Sequence, residues 1–209
     1  MSMINSEDTG LNFLRLLGSS FPGYHDLLRA TSDKEFDDTF DGMLVNVICD
    51  IEKDAKNLGS LNENGLTSVI SIAMNQIFGV KAKREENSNG HVDLTIDVEF
   101  PRQRRRLGEA KIYSGYSYHK SGVNQLLNRY TTGREGRGML IVYVKESNIK
   151  EKIDNLLEAM NQEKPCGQIG EACALPFRWS FLSNHLHHSG ETMDLGHYGC
   201  NLYIHNETK

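Results

Sequence analysis

From His91 to Phe100 the chain alternates without interruption between apolar and polar residues. Val92, Leu94, Ile96, Val98 and Phe100 fall on one side, and His91, Asp93, Thr95, Asp97 and Glu99 on the other. A period of two is the mark of a strand with one buried face. Pro101 to Arg104 supply a turn and Leu107 to Tyr113 a return strand, so a β-hairpin is expected over 91–113. With the turn centred on Arg102, Lys111 falls opposite Asp93 and Glu109 opposite Thr95. Glu109 and Lys111, two residues apart, share a face whatever the register.

On either side of the hairpin the period is helical. Phe36, Phe40, Met43, Leu44, Val47, Ile48 and Ile51 recur at steps of three and four, forming one apolar face within an N-terminal helical segment, 1–60. Phe21-Pro22-Gly23 and Gly59-Ser60 punctuate it. Asn62 is the expected N-cap of a second helix from Glu63 to Phe78, which Gly79 stops. Val80 to Glu86 reads as a short strand and Asn87-Ser88-Asn89-Gly90 as a turn. Beyond the hairpin, a loop (Ser114 to Tyr118) leads to a helix over His119–Tyr130. Met139 to Val144 is a continuous apolar run, as in a strand buried on both faces. Ile149 to Met160 is an amphipathic helix. The order is that of an α/β protein. Phe177–Leu182 and Leu195–Ile204 read as strands of a C-terminal β extension, 163–209, packed on a core of 61–162.

Charge is unevenly distributed along the chain. Residues 1–100 hold 8 Lys and Arg against 17 Asp and Glu, residues 101–145 hold 10 against 2, and residues 146–209 hold 5 against 9. A basic block in a chain of net charge −5 predicts a surface for a polyanion between residues 101 and 145. The plainer reading is a solvated arginine loop at Arg102–Arg106. No start resembling a signal peptide is present, and no apolar run approaches the ~20 residues of a membrane span. Four scattered cysteines are no disulfide framework. A cytoplasmic protein is expected.

The hairpin gathers two carboxylates and an ammonium on one rigid surface. Asp93, Glu109 and the backbone carbonyl of Ala110, with waters, suit a hard cation such as Mg²⁺, for which Mn²⁺ can substitute. Such a site suits phosphodiester hydrolysis, with Lys111 orienting the attacking water or offsetting developing charge. A Glu-x-Lys pair is, by itself, equally a salt bridge on a solvent face. Its neighbours Gly108, Ala110 and Ile112 are small or apolar, as in a half-buried strand.

Taken together, a helix bearing Glu63, Gly90-His91-Val92-Asp93-Leu94, Glu109-Ala110-Lys111, a glutamine-bearing helix (Asn124 to Tyr130) and the buried strand resemble the PD-(D/E)XK, or restriction-endonuclease-like, nuclease superfamily over about residues 60–145. The name motif departs from the pattern, since Val92 stands where the family has proline. Gln125 and Tyr130 are five apart, unlike the Gln-x-x-x-Tyr of the RecB-like branch. The resemblance implies a mixed four-stranded sheet flanked by helices and a metal-dependent nuclease with DNA as the usual substrate. Asp93 and Glu109 would be metal ligands and Lys111 the catalytic lysine. Glu63 would be a further ligand to metal or water, and Gln125 would lie beside the metal or a phosphate. Small nucleases of this type also suggest a homodimer, a regulatory protein partner and a role in bacterial defence against phage.

Tyr116, Tyr118, His119, Lys120, Arg129, Arg134 and Arg137 interleave aromatics with cations and are the expected nucleic-acid contacts. In the C-terminal third, Cys166 and Cys173 are too far apart for a zinc knuckle. His197-x-x-Cys200 is the tightest pairing there, so core cysteines and surface histidines are expected. Other readings of the whole are an inactive nucleic-acid-binding or assembly module of the same fold, and a nuclease for structured RNA or branched DNA.

Overall fold

The computed structural model describes residue 12 and residues 24–84, 86–87, 91–99 and 102–205. The breaks read at Phe21-Pro22-Gly23, Ser88-Asn89-Gly90 and Pro101 lie outside the described residues. Helix α1 (Tyr24–Arg29) leads into α2 (Asp33–Lys53). A capping box opens α2: the Ser32 side chain accepts from the Glu35 N–H, and the Glu35 carboxylate accepts from the Ser32 N–H. The apolar face of α2 is buried along its whole length, from Phe36 to Ile51. After one turn, α3 (Ala55–Leu58), comes α4 (Glu63–Met74), capped by Asn62, whose side chain accepts from Gly65 N–H at 2.8 Å. It stops short of Phe78. Asn75 turns its side-chain amide to the backbone of Ala82, accepting from its N–H and donating to its carbonyl, and so ties the helix end to the first strand.

The strands are β1 (Val80–Lys83), β2 (Glu86–Asn87), β3 (His91–Val92), β4 (Leu94–Val98) and β5 (Arg104–Ile112). Helix α5 (Tyr116–Gln125) runs on as a π-turn over Leu126–Tyr130. Then come β6 (Arg137–Val144), α6 (Ile149–Glu163), β7 (Gln168–Ala174), β8 (Ser180–Leu186) and β9 (Thr192–Asn201). β2 and β3 form a separate ribbon. The other seven strands make one mixed sheet in the order β1-β4-β5-β6-β9-β8-β7. Its middle, β5-β6-β9, is parallel, and an antiparallel wing closes each side.

The sheet therefore has seven strands, not four. The C-terminal third is no extension packed on a finished core, because β9 lies inside the sheet, parallel to β6. The physical need is plain: β6 is buried along all eight residues, and a buried strand must satisfy both edges. Helices α1, α2 and α4 cover one face, over Leu94, Ile96, Val98, Ala110, Ile141 and Tyr198. Helices α5 and α6 cover the other, over Leu107, Leu140, Val142, Phe181 and Leu195. Among the described residues no helix is long and apolar enough to cross a membrane.

Two details of the hairpin differ from the sequence reading. Leu94 pairs with Gly108 and Thr95 with Leu107, so Asp93 stands level with Glu109, not Lys111. The slip is an even number of residues, so every side chain keeps its face. The alternation also breaks at Asp93. Val92 packs in the α5-side core, while Leu94, Ile96 and Val98 pack on the other side. Asp93 is a bend between β3 and β4.

Candidate active site

Asp93 occupies that bend because its own side chain closes it. One carboxylate oxygen accepts a hydrogen bond at 3.0 Å from the N–H of Ala110, on β5. Its neighbours across the sheet, Glu109 and Lys111, face the α5 layer and are buried. Gly122 of α5 makes room for them. A Cβ there would lie 3.3 Å from Lys111 Cγ, 3.5 Å from Glu109 Cγ and 3.0 Å from Leu140 Cδ1, so the helix backbone sits directly on the pair. Sequence reasoning passed over Gly122, although a lone glycine in a helix is a signal of close approach.

Lys111 Nζ donates to Glu109 Oε1. Glu63, the first residue of α4, reaches the same place from the other layer. Its Oε2 accepts from the Ile112 N–H at 2.8 Å and from the Tyr118 hydroxyl at 3.5 Å, and its Oε1 is 3.9 Å from Lys111 Nζ. The Tyr118 ring lies 5.3 Å from Lys111 Nζ, a cation–π distance. Three carboxylates and one ammonium from α4, the Asp93 bend and β5 thus converge. Burial pushes the Glu109 carboxyl up to about 7, with the Asp93 charge adding to it and the Lys111 hydrogen bond opposing it. Burial alone would pull Lys111 down. The hydrogen bond to Glu109 and the charges of Glu109, Glu63 and Asp93 outweigh it, and Lys111 is raised.

One oxygen in this cluster has no use within the protein: Glu109 Oε2 is buried and lacks a hydrogen-bond partner among the described residues. Buried carboxylate oxygens are otherwise paired. An unmatched anionic oxygen beside a second carboxylate is the donor chemistry a hard divalent cation takes. Among the described residues no set of three or more His, Cys, Asp or Glu side chains closes into a complete metal cage. An Mg²⁺ site need not be one, since this ion keeps several of its waters. Gln125, three residues beyond Gly122 and on the same side of α5, is half-buried, and its Oε1 is likewise buried without a partner.

The expected nucleic-acid contacts divide. Tyr118, Lys120, Arg129 and Arg134 are exposed and Tyr116 is half-buried; Lys120 pairs with Glu163 at 2.8 Å. His119 is not on the surface. It is buried between Phe181 and His197, with ring centroids 6.1 and 4.9 Å away. Arg137 is also buried, among Asp41 at 2.5 Å, Asp194 at 3.4 Å and Asp37 at 3.5 Å, where it closes an internal network. The arginine loop is divided: Arg104 and Arg106 are buried, while Arg102 and Arg105 keep exposed side chains. Arg102 and Arg104 pair with Asp33, Arg106 with Asp37, and Arg105 with Asp97. The acidic and basic blocks of the sequence are folded against each other.

The expectation of surface histidines and core cysteines holds for His188, His205 and Cys200 but not for His185, His187 and His197, which are buried, nor for Cys49 and Cys173, which are exposed. Ser183 Oγ lies 2.8 Å from both His185 Nε2 and His197 Nε2, and His185 Nδ1 is 3.1 Å from the Cys166 carbonyl. A carbonyl only accepts, so His185 carries its proton on Nδ1. Ser183 then donates to His185 and accepts from His197 Nε2–H. His197 and Cys200, the tight pairing of the sequence, are odd-spaced on β9 and point into opposite cores, His197 stacking on Phe181 at 4.1 Å. No protein-family model, no curated protein and no solved structure matches the chain.

Proposed function

We propose that the chain is a divalent-metal-dependent nuclease of the PD-(D/E)XK type, acting on phosphodiester bonds, with DNA as the first substrate to test. The observation that carries the reading is the buried convergence of Asp93, Glu109, Lys111 and Glu63, with Glu109 Oε2 left unmatched. The connection from hairpin to α5 to the parallel strand β6 supports it as well, since that is the order the resemblance implies. The cation would be held by Asp93, Glu109 and the Ala110 carbonyl, with Glu63 reaching it directly or through water. When bound, it would supply Lewis-acid polarisation of a phosphate oxygen and a bound water of lowered pKa.

The protein's own groups do the rest. Lys111, fixed by Glu109 and stacked under Tyr118, places a positive charge beside the phosphate, where it orients the attacking water or offsets charge as the phosphorane forms. Glu63 keeps that lysine from swinging away from the carboxylates. Gln125 offers a side-chain amide near the same spot. Tyr118, exposed over the site, is placed to contact a nucleotide. The test is cleavage of supercoiled plasmid, linear duplex, single-stranded DNA and RNA in Mg²⁺ and in EDTA. Mg²⁺-dependent cleavage of a nucleic acid supports the reading, and inertness of all four substrates in both Mg²⁺ and Mn²⁺ contradicts it.

A further inference from the structure

At the other end of β5 from the carboxylates, a cleft of about 700 Å³ opens between the start of α2 and the sheet. The volume is that of a small-molecule site. Five of its lining residues are arginines, among them Arg102, Arg104, Arg106 and Arg134. Net charge does not set this cleft apart, because Asp33, Asp37, Glu135 and Asp194 also line it and balance most of the arginine charge. What is left over is hydrogen-bond donors. Each guanidinium carries five N–H groups, and an aspartate answers only a few. Arg104 has a side chain 7% exposed, and its Nη1 is buried with no partner among the described residues; Arg106 Nε is in the same state. At the rim, the guanidinium of the exposed Arg134 has no ion pair among the described residues. Stacking of Arg104 and Arg106 on Phe36, at 4.4 and 5.0 Å, fixes both guanidinium planes in advance.

Fixed, donor-rich guanidinium groups around a nucleotide-sized hollow match the oxygens of a phosphate. The anion already present, the Asp33 carboxylate, shows where one would sit. It bridges Arg102 and Arg104 at the first turn of α2, and its side chain is 74% exposed, so an incoming phosphate can take its place. A long polyanion fits less well, because the same walls present acids. We propose that this cleft binds a small phosphorylated ligand, such as a nucleotide, through Arg102, Arg104, Arg106 and Arg134, at a site separate from the carboxylate cluster. The separation is three to five residues along β5, about 10–16 Å at ~3.3 Å per residue. The proposal does not rest on the nuclease reading.

The probes are pyrophosphate and ADP, each titrated in EDTA by calorimetry and by thermal shift. Binding with Kd of about 1 mM or tighter is expected for ADP, and for pyrophosphate if the phosphates alone are recognised. R102E and R134E alter exposed side chains, so folding is retained, and each should weaken binding by about tenfold or more. Glu109→Gln, at the carboxylate cluster, should leave it unchanged. Absence of binding by both probes, or equal loss in Glu109→Gln, overturns the proposal.

Discussion

Lys111 is held by one carboxylate beside it and a second 3.9 Å away, and the two roles open to it differ in scale. If it serves the chemical step, Lys111→Met should lower single-turnover cleavage by about 2–4 orders of magnitude, the range of charge-stabilising and acid–base groups. Substrate affinity, read by anisotropy with Ca²⁺ in place of Mg²⁺, should change little. A loss seen only in melting temperature would make it a structural partner of Glu109. Arg137 stands at the opposite pole. Arg137→Ala leaves Asp41 buried with only the Tyr198 hydroxyl, at 2.7 Å. Breaking a buried pair from one side costs about 3–5 kcal/mol. Denaturant unfolding should show that loss, and nucleic-acid affinity should hold at temperatures where the variant is folded.

At the scale of elements, the α5–β5 contact is the most exposed to test. Gly122→Ala gains up to about 1 kcal/mol of helix propensity. It also presses a methyl group against Leu140 and Lys111, and overpacking costs about 1–3 kcal/mol. The expected result is a lower melting temperature together with slower cleavage, because the methyl displaces Lys111; a rise in melting temperature would show that α5 does not sit on the pair. The buried histidines of α5, β8 and β9 give a pH signature. Burial holds His119 at about 3 and lowers His185 and His197, so the fold requires them neutral. Their contribution is complete above the unfolded pKa of ~6.5 and is lost as pH falls below it, for His119 at about 1.4 kcal/mol per pH unit. Glu109 runs the other way. Raised to about 7, it is ionised above that pH and takes up a proton in the fold below it, so its contribution grows as pH drops from 7 towards its ordinary value. Urea unfolding between pH 7 and 5 should show net loss of stability towards acid, and His119→Leu should flatten the slope by about one proton. The helices α2, α4 and α6 and the strand β6 were legible in the sequence because their signal is periodic and local. The hairpin register was not, since it depends on a bend that the Asp93 carboxylate makes with Ala110, which alternation does not encode. Nor was the place of β9, whose partner β6 lies more than fifty residues earlier in the chain.

For the whole molecule, much of the uneven charge of the sequence is taken up in ion pairs between α2 and the basic block. Asp37 and Asp41 of α2 meet Arg106 and Arg137 inside the fold, while Asp33 pairs with Arg102 and Arg104 at its surface. The candidate site was legible in its membership, since Asp93, Glu109, Lys111 and Glu63 do meet. It was not legible in the burial that raises Glu109, which comes from α5 pressing on the pair through Gly122. That convergence is the central claim, and one comparison tests it most directly: cleavage of a nucleic acid in Mg²⁺ by the wild type and by Asp93→Asn, with folding of the variant verified by its far-ultraviolet spectrum and melting curve. The amide keeps the size of the side chain and an oxygen to accept from Ala110 N–H, but it removes the charge a cation needs. A loss of about three orders of magnitude or more with the fold intact is expected, in line with removal of a group that holds the metal. Cleavage by Asp93→Asn at the wild-type rate would contradict the assignment of these carboxylates as the metal site.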